Sequence, residues 1–410
     1  MNLEWENSNR TGTVADHAVV ILYAYTVNRG RGMRIMRDPQ LDVAAPGGCR
    51  KGRGATLNPA SRYLARVTSP VDDGWATPPD ADWPAPGTDT TLRPDRTVTL
   101  ITRNNSPDVP FDRSINPYKG CEHGCVYCFA RPTHAYLDLS PGLDFETRIF
   151  FKTGVRERLE AELGRPGYRP AVMALGTNTD PYQPAERNLR VTRTILEVLR
   201  EYRHPVSIVT KGQLVLRDLD ILRDMAADGL AAVAVSITTL DRDLKTRLEP
   251  RAADPTARLR VVAELAAAGI PTRVMLAPVI PFVNDAEIER IAAAAAEAGA
   301  SGIGYILLRL PLEVAELFRA WLEVHYPERA ARVMAAVRAT RGGRTYDATW
   351  GTRMRGTGAI AELIRCRFEL SARRHDLSIT REAPLRTDLF RVPGRVPVGD
   401  PGMTQQRLFD

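Results

Sequence analysis

Cysteine is scarce in this chain, with five residues in 410. An odd number of thiols with no secretory signal ahead of them argues against a disulfide-stapled extracellular fold. Long apolar runs are missing too. None approaches the roughly eighteen residues that a membrane-spanning helix needs. Ala18 to Val27 (AVVILYAYTV) is about half that length and lacks the basic start and cleavage pattern of a signal peptide. Lysines are few against many arginines, so the net charge of +7 fits an arginine-rich background as well as a polyanionic partner. Charge alone therefore identifies nothing. These absences leave a protein of a reducing compartment, read as cytoplasmic. Its 44% hydrophobic and 26% charged content suits one large globular domain with appendages, or two domains.

Three of the few cysteines stand together. Ser114 to His134 reads SINPYKGCEHGCVYCFARPTH, placing Cys121, Cys125 and Cys128 at C-x3-C-x2-C. Thiolates this close on one loop converge on a metal centre more readily than they pair with each other. Gly120 and Gly124 let the backbone turn sharply around it, and Tyr127 offers an aromatic face beside it. Three thiolates are one short of a closed tetrahedral zinc or iron–sulfur site. Either another protein ligand completes the set, with His123 or His134 making a structural zinc knot, or one metal position stays open for chemistry.

The C-x3-C-x2-C spacing with an aromatic before the third cysteine resembles the signature of the radical S-adenosylmethionine (SAM) superfamily. The resemblance implies that Cys121, Cys125 and Cys128 hold a [4Fe–4S] cluster whose remaining iron is chelated by SAM. Reduction then cleaves SAM to methionine and a 5′-deoxyadenosyl radical. It also implies an electron donor such as flavodoxin or ferredoxin. The cofactor performs the hard step, and the protein supplies orientation and shielding.

Strand and helix patterns alternate from residue 111. Apolar runs at Arg113–Tyr118, Ala171–Leu175, Pro205–Thr210, Ala231–Thr238, Thr272–Ala277 and Ile303–Leu308 are separated by helical stretches, which predicts parallel β/α units. Gly229, Gly269 and Gly299 follow helix ends, where left-handed caps are expected. The pattern leaves an open sheet and a barrel equally available; the resemblance implies an α/β fold, a partial (β/α)6 barrel open on one side. The chain is divided into an N-terminal extension at 1–48, for which disorder is one reading and Met33 or Met36 are alternative starts. A basic arm (CRKGRGATLNPA at 49–60) and a Pro-rich linker over 69–96 fill 49–110. The barrel spans 111–311, a helical C-terminal region broken at Pro327 spans 312–379, and a flexible tail spans 380–410.

Ligands of parallel β/α folds sit at the carboxyl ends of the strands. There the chain carries GTNTDPYQP, with Thr177, Asn178 and Thr179 assigned to the SAM ammonium, then Lys211 as a partner for the SAM carboxylate. Ser236 and Arg251 are further SAM contacts, and Tyr305 lies in the segment assigned to adenine. The catalytic residue is left unassigned. The order NPYKGC, TDPYQP, TKG, EPR, APVIP and LLRLP is similar to an uncharacterised bacterial branch grouped with spore photoproduct lyase. That lyase returns a hydrogen atom from a barrel cysteine. This chain has none between Cys128 and Cys366; Cys366 is read as a buried inert thiol and Cys49 lies in the arm. The resemblance therefore implies radical generation without implying the lyase reaction.

From Arg338 to Arg374 arginines outnumber acids, with Tyr346, Trp350 and Phe368 interleaved, a composition that suits a nucleic-acid surface or a helix with aromatics in the core. The chain ends in QQRLFD, and Gln405, Leu408 and Phe409 resemble the peptide by which bacterial repair proteins dock on the DNA sliding clamp. The leading expectation is a radical SAM enzyme acting on nucleic acid in a DNA-repair-like, lyase-like role. Radical modification of RNA, a peptide or a small metabolite is the second, and a non-catalytic zinc-binding DNA or clamp adaptor the third.

Overall fold

Ten strands form among the described residues, four more than the six apolar runs expected. In the computed structural model, which describes residues 51–63, 89–380 and 384–394, they are β1 (Thr91–Asp95), β2 (Ile101–Arg103), β3 (Arg113–Ile115), β4 (Tyr118–Lys119), β5 (Arg148–Lys152), β6 (Met173–Leu175), β7 (Val206–Thr210), β8 (Ala231–Ser236), β9 (Thr272–Val279) and β10 (Gly302–Leu307). The main sheet has the order β10-β9-β8-β7-β6-β3-β2. Its first six members are parallel, and β2 is antiparallel at the edge beyond β3. All six expected apolar runs are present as these parallel strands. Because β10 and β2 stand at opposite ends of the order, the set is the partial barrel rather than a closed one.

Side chains alternate across each strand. Val206, Ile208, Val233, Val235, Val274 and Leu276 are buried beneath the outer helices, whereas the other face carries the half-buried Ser207, Val209, Ala232, Ala234 and Gly304. The same face carries Met275 and Ile306, which line the cavity inside the barrel. The outer layer is built by helices such as Val191–Glu201 and Pro255–Ala267, which turn Ile195, Leu196 and Leu199, and Val261, Val262 and Leu265, onto the sheet. The second begins where the Asp254 side chain accepts the Thr256 amide hydrogen and Pro255 occupies the first turn. Gly229, Gly269 and Gly299 end their helices at φ of +70°, +75° and +84°, the left-handed caps expected from their positions.

Three expectations are corrected. The Pro-rich linker over 69–96 does not run unstructured to its end, since Thr91–Asp95 is a strand pairing in parallel with β5, which also pairs with β4. Composition loses here to a buried charge. Asp95 receives Lys119 and Lys152, each at 3.0 Å. The tail is not free over 384–394: the Arg386 and Arg391 amides donate to the Gly229 and Tyr202 carbonyls, and Phe390 packs against Tyr168, Tyr202 and His204. Cys366 is exposed on the helix Gly358–Arg374 rather than buried. The helices Val314–His325 and Pro327–Ala339 do break at Pro327. They bury Phe318, Trp321 and Leu322 against Val126, Tyr127 and Leu248, and so back the cysteine loop.

Candidate active site

The cysteine loop follows β3 and is held from outside by a clasp. Gly120 and Gly124 take φ of +80° and +69°, where a side chain is strained. The fully buried Glu146 carboxylate accepts from Arg131 Nη2 at 2.5 Å and from the Gly54 and Ala55 amides at 3.0 and 2.8 Å. Arg131, also buried, donates to the Gly124 and Cys125 carbonyls at 3.1 and 2.8 Å. A Cβ on Gly54 would sit 1.8 Å from the Gly124 oxygen. The basic arm is thus neither a solvated loop nor a phosphate arm over Arg53–Ala55, which is buried; it is packed onto the turn that carries the cysteines.

The inner side of the loop opens on a cavity of about 260 Å³ at the carboxyl ends of the strands. Cys121, Cys125, Cys128 and Tyr127 line it, together with Thr177, Asn178 and Thr179 after β6, Lys211 after β7 and Ser236 in β8. Two residues named from sequence are elsewhere. Arg251 does not line the cavity; it pairs with Glu122 at 3.2 Å on the outer side of the loop. Tyr305 points away, because alternation along β10 puts its ring on Phe368, 4.6 Å between centroids. The Thr179 hydroxyl is committed to the Tyr118 carbonyl at 2.8 Å.

Two buried carboxylates tie strand ends to the loop. Asp180 accepts from the Thr210 hydroxyl and the Lys211 amide, each at 2.7 Å, and faces His123 Nδ1 at 3.4 Å. Burial opposes its ionisation, but His123 and these donors outweigh that and hold it at about 2. Glu249 accepts from Thr238 at 2.6 Å, and from Tyr127 and Arg258 at short range. It too is at about 2, burial being outweighed by Arg258 and Lys211. The Lys211 ammonium lies 5.9 Å above the Tyr127 ring. Burial pulls its pKa down, Glu249 and Cys125 raise it further, and the net direction is upward. Among the described residues no acceptor bonds that ammonium.

Burial, then the neighbouring Glu249 charge, pushes the Cys125 thiol up to about 12; burial, with Asp180, raises Cys121 well above its ordinary value too. Such thiols become thiolates only when a cationic centre compensates them. His123 has its Nδ1 on Asp180, and His134 bonds the Arg148 carbonyl through Nε2 at 3.0 Å without lining the cavity. Among the described residues no three His, Cys, Asp or Glu side chains gather around a single ion. The donor set suits a multi-iron centre, in which each thiolate takes a different iron.

Sequence reading passes over Glu146, Arg131 and Arg258, and values Glu249, Asp180 and Arg309 only as parts of motifs. Lone charged residues far apart in the chain carry no local signal; only the fold buries them together.

A barrel of six parallel strands with a three-cysteine loop at its mouth defines a class, and the family model of the radical SAM superfamily matches residues 115–295. The chain belongs to that superfamily, whose members use a [4Fe–4S] cluster and SAM. It is 40% identical over 230 residues to an uncharacterised protein of Mycobacterium tuberculosis, covering 56% of this chain and 68% of that one. An uncharacterised protein of Methanocaldococcus jannaschii is 27% identical over 214 residues, 52% of this chain and 76% of the other. Among solved structures, a spore photoproduct lyase variant superposes with a TM-score of 0.50 at 16% identity, covering 69% of this chain and 78% of that one. Another variant, with dinucleoside spore photoproduct, has the same TM-score and coverage at 15% identity. At such identity the likeness shows a shared fold.

Proposed function

We propose that this radical SAM enzyme acts on a nucleic acid, most specifically DNA in a repair-like role, and that it does so in the cytoplasm with a flavodoxin or ferredoxin as electron donor. One observation carries the substrate class. The segment 340–357 displays Trp350, 48% exposed, and the exposed Arg344, while its Met354 lines the cavity. Arg353 fixes this segment to Asp108, beside the cavity residues Val109 and Phe111. Aromatic and cationic groups on the rim suit a strand whose bases stack while its phosphates are neutralised. The rest of the arginine-rich region is weaker support. Phe368 is in the core, Arg341 serves the Leu307 and Leu308 carbonyls, and Arg367 pairs with Glu289.

In this reading Cys121, Cys125 and Cys128 hold the cluster, and Lys211, Thr177, Asn178 and Ser236 receive SAM. The bound pair supplies reductive SAM cleavage and a hydrogen-abstracting radical. Tyr127, fixed by Glu249, forms a wall of the site. Glu249 and Asp180 stay ionised and so hold the strand ends in place at any physiological pH. The hollow, largely apolar cavity keeps water from the reacting atoms.

Anaerobic reconstitution with iron, sulfide and SAM tests it: about four irons per chain and SAM cleavage on reduction are expected, and Cys→Ala at any of the three positions abolishes both. One zinc per chain without SAM turnover would leave an adaptor instead. With deuterium-labelled DNA, label should reach 5′-deoxyadenosine; turnover without label transfer rejects a DNA substrate and directs the search to RNA, peptides or metabolites. Gln405, Leu408 and Phe409 lie outside the described residues. We propose them as a sliding-clamp peptide, for which changing Leu408 and Phe409 to Ala abolishes clamp binding; unchanged binding ends that idea.

A further inference from the structure

Arg309 is 93% removed from solvent, with 7% relative exposure, yet it lines the cavity. Among the described residues it has no carboxylate partner and no hydrogen-bond acceptor. It lies over the Phe129 ring, 4.6 Å from the guanidinium carbon to the centroid, and a second cation, Arg341, is close enough to repel it. A desolvated cation without a counter-charge is costly. The other buried arginines described are all compensated: Arg131 by Glu146, Arg258 by Glu249, Arg353 by Asp108, Arg113 by Asp112, Arg341 by main-chain carbonyls, and Arg53 by the Glu146 carbonyl. Arg309 is the exception, and it faces open space.

Its position separates it from the SAM-directed cation. Lys211 follows β7 in the middle of the sheet and sits over Tyr127, with Glu249, Arg258 and Asp180 as its charged neighbours. Arg309 follows β10 at one edge, and Phe129 follows the cysteine loop of β3, with β9, β8, β7 and β6 between those two strands in the sheet order. The Arg309–Phe129 contact therefore bridges the first and last strands of the parallel set, at the seam a closed barrel would not have. Met354 of the rim segment lines the same cavity. A planar cation already stacked on one ring presents its edge donors to an anion in a bidentate fork.

We propose that Arg309 is the substrate-anchoring residue of this site and binds a phosphate group of the substrate at the barrel seam, with Phe129 holding the guanidinium flat. The proposal rests on the nucleic-acid reading above for its substrate class, and on Arg309 alone for the anion. Phosphate on the substrate and the carboxylate of SAM are the two anions available to it, and they are separable.

The test uses the reconstituted holoenzyme, wild type and Arg309→Gln, with equilibrium binding of four probes: SAM, inorganic phosphate, a DNA dinucleotide, and the same dinucleotide with an uncharged methylphosphonate linkage. Among the described residues the Arg309 side chain has no hydrogen-bond partner, so Arg309→Gln should keep the wild-type iron content and melting temperature; Arg309→Lys, which keeps the charge, serves if it does not. The wild type should bind the phosphodiester about tenfold or more tighter than the methylphosphonate, as for a charge-assisted hydrogen bond. Arg309→Gln should bind the two equally, with SAM affinity unchanged. Loss of SAM affinity with no change in the dinucleotide ratio would assign Arg309 to the cofactor and overturn the proposal. So would a wild type that binds no phosphate-bearing probe, or one whose preference survives in Arg309→Gln. Inorganic phosphate bound through Arg309 with neither dinucleotide bound would keep the anion site and reject the nucleic-acid reading.

Discussion

Glu146 concentrates the residue-scale physics of this molecule. A carboxylate with no solvent exposure is tolerated because Arg131 and two backbone amides complete its hydrogen bonds. Removing one partner strands the other. Glu146→Ala should cost about 3–5 kcal/mol and, because Arg131 grips the Gly124 and Cys125 carbonyls, should lower iron incorporation as well; chemical denaturation and iron assay read the two effects. Gly54→Ala should do the same without touching a charge, since its methyl group has no room beneath Gly124.

The buried histidines make a pH prediction at the same scale. His204 donates from Nδ1 to the Pro205 carbonyl at 3.0 Å, and its Nε2 lies 2.8 Å from the Tyr168 hydroxyl, which donates to it when the ring is neutral. Burial lowers His204 and His134 to about 4, from 6.5 when free. Between those values the unfolded chain takes up protons that the folded one refuses. Stability from these sites is therefore complete above pH 6.5 and lost progressively down to pH 4, by about 3 kcal/mol each at 1.4 kcal/mol per unit. His204→Asn should reduce the slope of stability against pH in that window by roughly one proton. An unchanged slope would show that His204 is not neutral in the fold.

At the scale of elements, the segment 384–394 behaves as part of the barrel wall although its composition resembles a linker. Phe390 fills a gap among Tyr168, Tyr202 and His204, and two of its neighbours' amides cap the exposed ends of the helices before β7 and β8. Phe390→Ala should lower the melting temperature, costing about 2 kcal/mol for a partly buried ring. The cysteine loop is an element of the same kind. Its shape comes less from its own residues than from Glu146 beneath it, Gln183 bonding the Gly120 carbonyl and Glu122 amide beside it, and the Trp321 helix behind it.

At the scale of the whole molecule, the sheet stays open between β2 and β10, and Met354 of the segment 340–357 lines the cavity. If a nucleic-acid strand enters there, Trp350→Ala should weaken single-strand binding by about 1–3 kcal/mol while leaving SAM cleavage intact. Fluorescence anisotropy against salt reads this separately from lost phosphate contacts, which would also change the salt slope.

Much of this was readable in the chain. Period-two apolar runs alternating with helical ones specify parallel β/α units, because strand and helix each bury one face locally. Closely spaced cysteines bring thiols together by chain connectivity alone, and TDPYQP and TKG lie one step beyond strands, where cavities form in such folds. Tertiary structure decided what depends on partners distant in sequence. It turned Tyr305 and Arg251 away from the cavity, drew Thr91–Asp95 into a sheet around a buried aspartate, and packed the basic arm onto the cysteine turn. It also left Arg309, alone among the deeply buried arginines described, facing the cavity without an anion. Local pattern fixes which face of an element is apolar; which charges meet inside is fixed only when residues far apart in the chain are desolvated together.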